Sequence, residues 1–161
     1  MRRASAVAAA IILLAASAQA QRSYDPLHPF VTDGDTLKFG PHDRVRLYGI
    51  DAPELRQTCD DGAWPAGRIA RDALIKIIGG RRVSCDEVDW DSRWNRPVSR
   101  CWAGDTDVSE EMVRRGMAWA YVKYSTAFVA QEREAAGLGV HVHNCIPPWE
   151  WRVQRTTNEP R

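Results

Sequence analysis

The stretch Arg44–Ile50 constrains this chain more than any other. Val45 and Leu47 alternate with Arg46 and Tyr48, the period of a half-buried strand. Ile50 then falls one step out of phase, and Gly49 sits at the break. A glycine there suits a bulge, which shifts the phase by one residue. Beyond it Asp51 returns to the face of Arg46. A cation and a carboxylate five apart in sequence are therefore expected to line one pocket.

The neighbouring segments extend this β pattern. Phe30-Val31-Thr32 and Leu37-Lys38-Phe39 flank Asp33-Gly34-Asp35, and Asp-Gly is a strong tight-turn signal. Pro65 opens a predicted helix to about Ile78, with Ile69, Ala70, Leu74, Ile77 and Ile78 at helical spacing and Gly79-Gly80 as its stop. Arg82 to Val88 and Val98 to Trp102 read as strands around a connection at 89–97. Ser109-Glu110-Glu111 starts a short helix by capping and first-turn charge, and Gly116 ends it. Ser125 is expected to cap a third helix ending near Gly137. Residues 21–28 read as a polar lead-in and 152–161 as a loose polar tail. Strands, a helix, strands and two helices, in that order, imply a small barrel with helices packed on it, an α+β arrangement.

The start of the chain has a separate meaning. Met1-Arg2-Arg3 is cationic, Ala6 to Ala16 is apolar, and Ala18-Gln19-Ala20 fits the A-x-A cleavage pattern. Residues 1–20 are accordingly expected to be a signal peptide, and 21–161 a single domain. The apolar run is short for a bilayer span, so no membrane association is expected after cleavage. Removing Arg2 and Arg3 from the 22 basic residues leaves 20 against 21 acidic ones. A protein that merely coats nucleic acid should be clearly basic, so any phosphate binding here must be local. The four cysteines, Cys59, Cys85, Cys101 and Cys145, contain no C-x-x-C. In an exported chain they suggest two disulfides, with three pairings open. A hairpin would join Cys85 to Cys101, leaving Cys59 and Cys145 to tie down the C-terminus.

Five charged residues stand out by position: Asp35, Arg46, Asp51, Glu54 and Arg96. Asp33-Gly34-Asp35-Thr36 packs two carboxylates beside a tight turn, and Asp51-Ala52-Pro53-Glu54 adds two after a strand end. Carboxylates and carbonyls at strand ends suit a hard cation, calcium above all. His141 and His143 read as loop histidines beside a disulfide rather than as metal ligands.

In combination these segments resemble the staphylococcal nuclease family, in a secreted bacterial form. The resemblance lies in Val31-Thr-Asp-Gly-Asp-Thr-Leu-Lys-Phe39, Val45-Arg-Leu-Tyr-Gly-Ile-Asp-Ala-Pro-Glu54, Arg93-Trp-Asn-Arg96, Val108–Ala118 and the ending Pro148-Trp-Glu-Trp-Arg152. It implies an OB-fold, a five-stranded β-barrel with three packed α-helices. It implies a secreted or periplasmic, monomeric, calcium-dependent nuclease that cuts single- or double-stranded DNA and RNA and leaves 3′-phosphates. Asp35 and Asp51 would hold the ion with their side chains and Ala52 with its backbone carbonyl, with Asp33 behind them. Glu54 would hold or activate water, and Arg46 and Arg96 would grip the phosphate. Arg93, Trp94, Tyr121 and Tyr124 are candidates for phosphate contact and base stacking. Ser92-Arg93-Trp94-Asn95-Arg96-Pro97 departs from the family's usual glycine-containing turn, although Asn tolerates the left-handed conformation glycine would take. The other class of function compatible with these residues is a non-catalytic OB-fold module that binds nucleic acid or protein in the cell envelope.

Overall fold

The structure, a computed structural model, describes residues 23–158. The expected signal peptide at 1–20 lies outside them, as do residues 159–161. Nine strands and four α-helices are described. The strands are β1 (Ser23–Leu27), β2 (Phe30–Asp33), β3 (Thr36–Lys38), β4 (Arg44–Leu47), β5 (Ile50–Asp51), β6 (Val83–Asp91), β7 (Arg96–Ala103), β8 (Thr106–Asp107) and β9 (Trp119–Ala120). The helices are α1 (Ala66–Ile78), α2 (Val108–Arg114), α3 (Val129–Glu134) and α4 (Pro148–Asn158).

The main sheet runs β1-β6-β7-β4-β3-β2, with β8 added on β7, and β5 pairs separately with β9. It curls into a half-barrel carrying the helices, the mixed α+β, OB-fold architecture expected. One pairing needs a long return of the chain: β4 lies parallel to β7, with Arg46 opposite Val98 and Leu47 opposite Ser99. Strand alternation shows in burial, for Val45 and Leu47 are buried while Arg46 and Tyr48 are only partly so. Gly49 has φ +74, a left-handed value that a β-carbon disfavours, and a Cβ there would meet Phe128 at 2.8 Å. The strand consequently breaks at Gly49, and β5 resumes in shifted phase. The core gathers Leu37, Val45, Leu47 and Ile50 with Leu74 and Ile77 of α1 and Met112 and Val113 of α2.

Several local expectations change. The lead-in is β1, a strand paired with β6. The connection at 89–97 is mostly strand, because β6 and β7 extend to a tight turn at 92–95 where Asn95 takes φ +50. Asp107 rather than Ser109 caps α2, accepting from the Ser109 and Glu110 amides at 3.0 and 3.1 Å. Ser125 caps no helix; its hydroxyl accepts from Ala127 N, and α3 begins only at Val129. The tail forms a fourth helix, α4.

Disulfides join Cys85 to Cys101 and Cys59 to Cys145. The first links residues directly opposite on β6 and β7. The second fastens the segment before α4 to the loop before α1. Among the described residues, no helix is long and apolar enough to cross a membrane.

Candidate active site

The break at Gly49 has a chemical consequence. It turns Asp51 toward Arg46, whose Nη2 donates to Asp51 Oδ1 at 2.7 Å and to the Ile50 carbonyl at 3.1 Å. The other arm of the same fork, Nη1, lies 3.0 Å from Asp35 Oδ1. Asp35 reaches this point from the tight turn between β2 and β3. Its amide donates to Asp33 Oδ1, its Oδ2 accepts from the Ala52 amide at 2.8 Å, and its Oδ1 accepts from the Thr36 hydroxyl. One planar guanidinium thus binds two carboxylates, one from the β2–β3 turn and one from β5, a geometry that lysine's single ammonium cannot reproduce.

Burial sets the electrostatics. Desolvation pushes the Asp35 carboxyl up to about 8; Arg46 opposes this, while Asp33 and Asp51 reinforce it. For Arg46, burial works against the charge, but Asp35 and Asp51 outweigh it and the pKa is raised. Burial therefore disfavours the charged form of Asp35 even with a guanidinium 3.0 Å away.

These groups border a cleft of about 530 Å³. Asp35, Arg46, Ala52, Glu54, Arg93, Trp94, Arg96, Tyr121 and Tyr124 all line it; Asp51, its side chain fully buried, lies just behind the wall. Arg96 enters from the start of β7. Its Nε donates to Asp91 Oδ2 at 3.2 Å, and its Nη1 donates to Thr36 Oγ1 at 3.1 Å, the hydroxyl that donates to Asp35. Pro97 directly after it stays in the ladder, with Asp91 opposite Arg96 and Trp90 opposite Pro97, and the register shifts nearby, between Glu87 and Asp89. At the rim, the Arg93 guanidinium lies 5.5 Å from the centroid of Trp94, which is 64% exposed. Tyr124 is equally exposed, but Tyr121 is stacked on Trp149 at 5.2 Å, so one of its faces is taken.

Two side chains that hold the Glu54 segment were given no role by the sequence. Gln57 is buried and braces Glu54: its Oε1 accepts from the Glu54 amide at 3.2 Å, while its Nε2 donates to the Ile146 carbonyl at 2.8 Å. Arg152 of α4 donates to Asp51 Oδ2 and to Glu54 Oε1, each at 2.6 Å. Arg152 closes the Pro148-Trp-Glu-Trp-Arg152 ending that carries part of the family resemblance, but no local pattern reveals which acids it meets. His143 is partnered rather than loose, with Nδ1 2.6 Å from Asp60 Oδ2 and its ring stacked on Trp64. Among the described residues no three His, Cys, Asp or Glu side chains form a ready-made metal cage. The donor set around Arg46 is entirely oxygen, and its carboxylates are held by guanidinium groups.

Comparison with known proteins bears on this arrangement. The profile of the family described as staphylococcal nuclease homologue matches residues 44–137. That span takes in Arg46, Asp51, Glu54 and Arg96 and leaves Asp35 and Arg152 outside. Protein ParB of Escherichia coli is 33% identical, over 98% of this chain and 93% of its own length. An uncharacterized endonuclease of Escherichia coli O157:H7 is 33% identical, over 78% of this chain and 82% of its own length. The probable staphylococcal-like nuclease CAN3 of Oryza sativa subsp. japonica is 37% identical over 68% of this chain. The chain spans only 28% of the length of that rice protein and 29% of a second one, CAN2. With a profile covering more than half of its residues and a full-length relative a third identical, the chain belongs to the staphylococcal nuclease family.

Proposed function

We propose that this chain is an exported, calcium-dependent nuclease that hydrolyses phosphodiester bonds of DNA and RNA and leaves 3′-phosphates. The observation that carries the reading is the Arg46 fork on Asp35 and Asp51, in a cleft that also presents Glu54 and Arg96. Residues 21–161 act as a single, monomeric domain, secreted or periplasmic once residues 1–20 are removed. The two disulfides support an oxidising compartment.

The donor chemistry fits a hard cation. Asp35 and Asp51, with the Ala52 carbonyl, offer only oxygen, and at Asp35 burial outweighs the charge of Arg46. When bound there, calcium supplies charge neutralisation at the phosphoryl oxygens and helps to place the water. The chain's own residues do the rest. Glu54 accepts the proton of the attacking water, and Arg46 and Arg96 stabilise the additional negative charge that develops on the phosphorus oxygens. Arg93, Trp94, Tyr121 and Tyr124 guide the strand along the cleft, the exposed rings by stacking on bases. A phosphodiester is an anion, so neither attack nor positioning succeeds without cations aimed at it.

The test is hydrolysis of single-stranded DNA by the purified, oxidised protein in calcium and in chelator, beside Arg46→Ala and Glu54→Ala. Calcium-dependent cutting that falls by about 10²–10³-fold in each variant is expected, the usual consequence of losing one preorganised donor or base. A folded wild type that binds DNA without cutting it would instead identify a non-catalytic OB-fold binding module.

A further inference from the structure

Arg152 differs from the other cations of the cleft in origin. It sits on α4, 101 residues from Asp51 and 98 from Glu54 along the chain. Its guanidinium nevertheless spans both acids. Nη2 donates to Asp51 Oδ2 at 2.6 Å, and Nη1 donates to Glu54 Oε1 at 2.6 Å and to Asp51 Oδ1 at 3.3 Å. Asp51 is fully buried, whereas Arg152 and Glu54 are each about a third exposed. No other described group donates to the Glu54 carboxylate; the Gln57 contact holds only its backbone.

Three independent ties deliver α4 to this place. Cys145 is bonded to Cys59, the Ile146 carbonyl accepts from Gln57 Nε2, and Trp149 stacks on Tyr121. An exposed ion pair formed by chance has no such scaffolding and contributes little. Here a disulfide, a buried amide and a ring stack converge on one guanidinium, which spends both its arms on the two acids of the cleft's reactive end.

We propose that Arg152 is a positioning residue of this active site, fixing the Glu54 carboxylate relative to Asp51. By engaging Oε1 it stops the side chain from rotating and leaves Oε2 to accept the proton of water. The proposal rests on the nuclease reading given above. It predicts a loss in turnover rather than in substrate affinity, because Arg152 is committed to protein carboxylates and not to the nucleic acid.

Two measurements test it. The first compares kcat and KM on single-stranded DNA in calcium for wild type, Arg152→Ala, Arg152→Lys and Arg155→Ala. Arg152→Ala should lose roughly 10- to 100-fold in kcat with KM within about threefold, the expected consequence of a misplaced base. Arg152→Lys should recover part of the loss, because an ammonium keeps the charge but not the fork. Arg155→Ala, with its guanidinium 5.0 Å from the Trp151 ring centroid, should stay within about twofold of wild type. A raised KM with unchanged kcat would overturn positioning in favour of direct substrate contact, and an unchanged kcat and KM would dismiss any role.

The second measurement needs neither metal nor activity. In chelator, the Tm shift caused by Glu54→Gln should differ by about 2 °C between the wild-type and Arg152→Ala backgrounds. Equal shifts in both would show that the two side chains do not act on one another, whatever the turnover data. A wild type that fails to cut DNA removes the nuclease reading, and this cycle then decides by itself whether Arg152 fixes Glu54.

Discussion

Arg46 and Arg152 divide Asp35, Asp51 and Glu54 between them, and Asp51 is the one they share. Arg46 takes Asp35 and Asp51, and Arg152 takes Asp51 and Glu54. The first half of this chain of contacts was legible in sequence because it is local: five residues and one glycine at a phase break put Arg46 and Asp51 on one face. The second half was not, because no local periodicity reports a contact made across about a hundred residues. His141 shows the same limit and yields a prediction. It was expected in a loop, yet it packs edge-on against Trp119 at 6.0 Å, with Nε2 buried and no partner for it among the described residues. Burial lowers its pKa, and Glu132 only partly restores it. The folded protein therefore binds this proton less readily than the unfolded chain, whose histidine titrates near about 6.5. Stability is retained above that pH and falls as the pH drops through it. His141→Phe keeps a ring against Trp119 and removes the titration. Its Tm relative to wild type should rise between about pH 7.5 and about pH 5. A difference that stays constant with pH would show that His141 does not contribute to acid sensitivity.

Among the elements, α1 is the one whose placement bears most directly on chemistry. Its apolar spacing made it readable, and the buried set Ala70, Leu74, Ile77 and Ile78 matches that spacing. What the spacing could not reveal is how closely its first turn approaches the loop carrying Glu54. A β-carbon added at Gly67 would lie 1.8 Å from the Glu54 carbonyl oxygen, and the Gly67 amide donates to the Gln57 carbonyl at 3.1 Å. Backbone meets backbone there, so the contact has no flexible side chain to yield. Gly67→Ala should cost about 1–3 kcal/mol of stability, the range for overpacking, and displace Glu54 so that kcat falls while the fold persists. Thermal unfolding and single-stranded DNA hydrolysis measured on the same sample check this; wild-type values of both would mean that the loop has room to move. The opposite case is α4, whose residues from Arg152 onward read as a loose tail. Its sequence is polar and carries few apolar positions, so helical periodicity had little to act upon. Its position depends on a disulfide, one amide and one ring stack rather than on an apolar face.

For the whole molecule, the two disulfides do different work because of where they close the chain. Cys85 and Cys101 face each other across the β6–β7 hairpin, with a sequence separation of 16. Cys59 and Cys145 are separated by 86 and connect the loop before α1 to the segment before α4. In the chain-entropy account, loops of these lengths restrict the unfolded state by about 3 and about 4.6 kcal/mol respectively, before any native strain. Stability alone would therefore rank the long-range bond modestly higher. Activity should separate the two far more sharply. The hairpin is already held by its ladder on both sides of Cys85, so Cys85→Ser/Cys101→Ser should unfold at a lower temperature but cut DNA at close to the wild-type rate when folded. Cys59→Ser/Cys145→Ser removes the covalent tie of α4, leaving Arg152 to depend on Gln57–Ile146 and Trp149–Tyr121. That variant should lose turnover toward the level of Arg152→Ala, and adding Arg152→Ala to it should lower turnover little further, since both changes remove the same constraint. Fully additive losses, or a long-range variant as active as wild type below its Tm, would show that α4 stays in place without the bond. The order of the cleft's reactive end would then rest on the Gln57–Ile146 and Trp149–Tyr121 contacts.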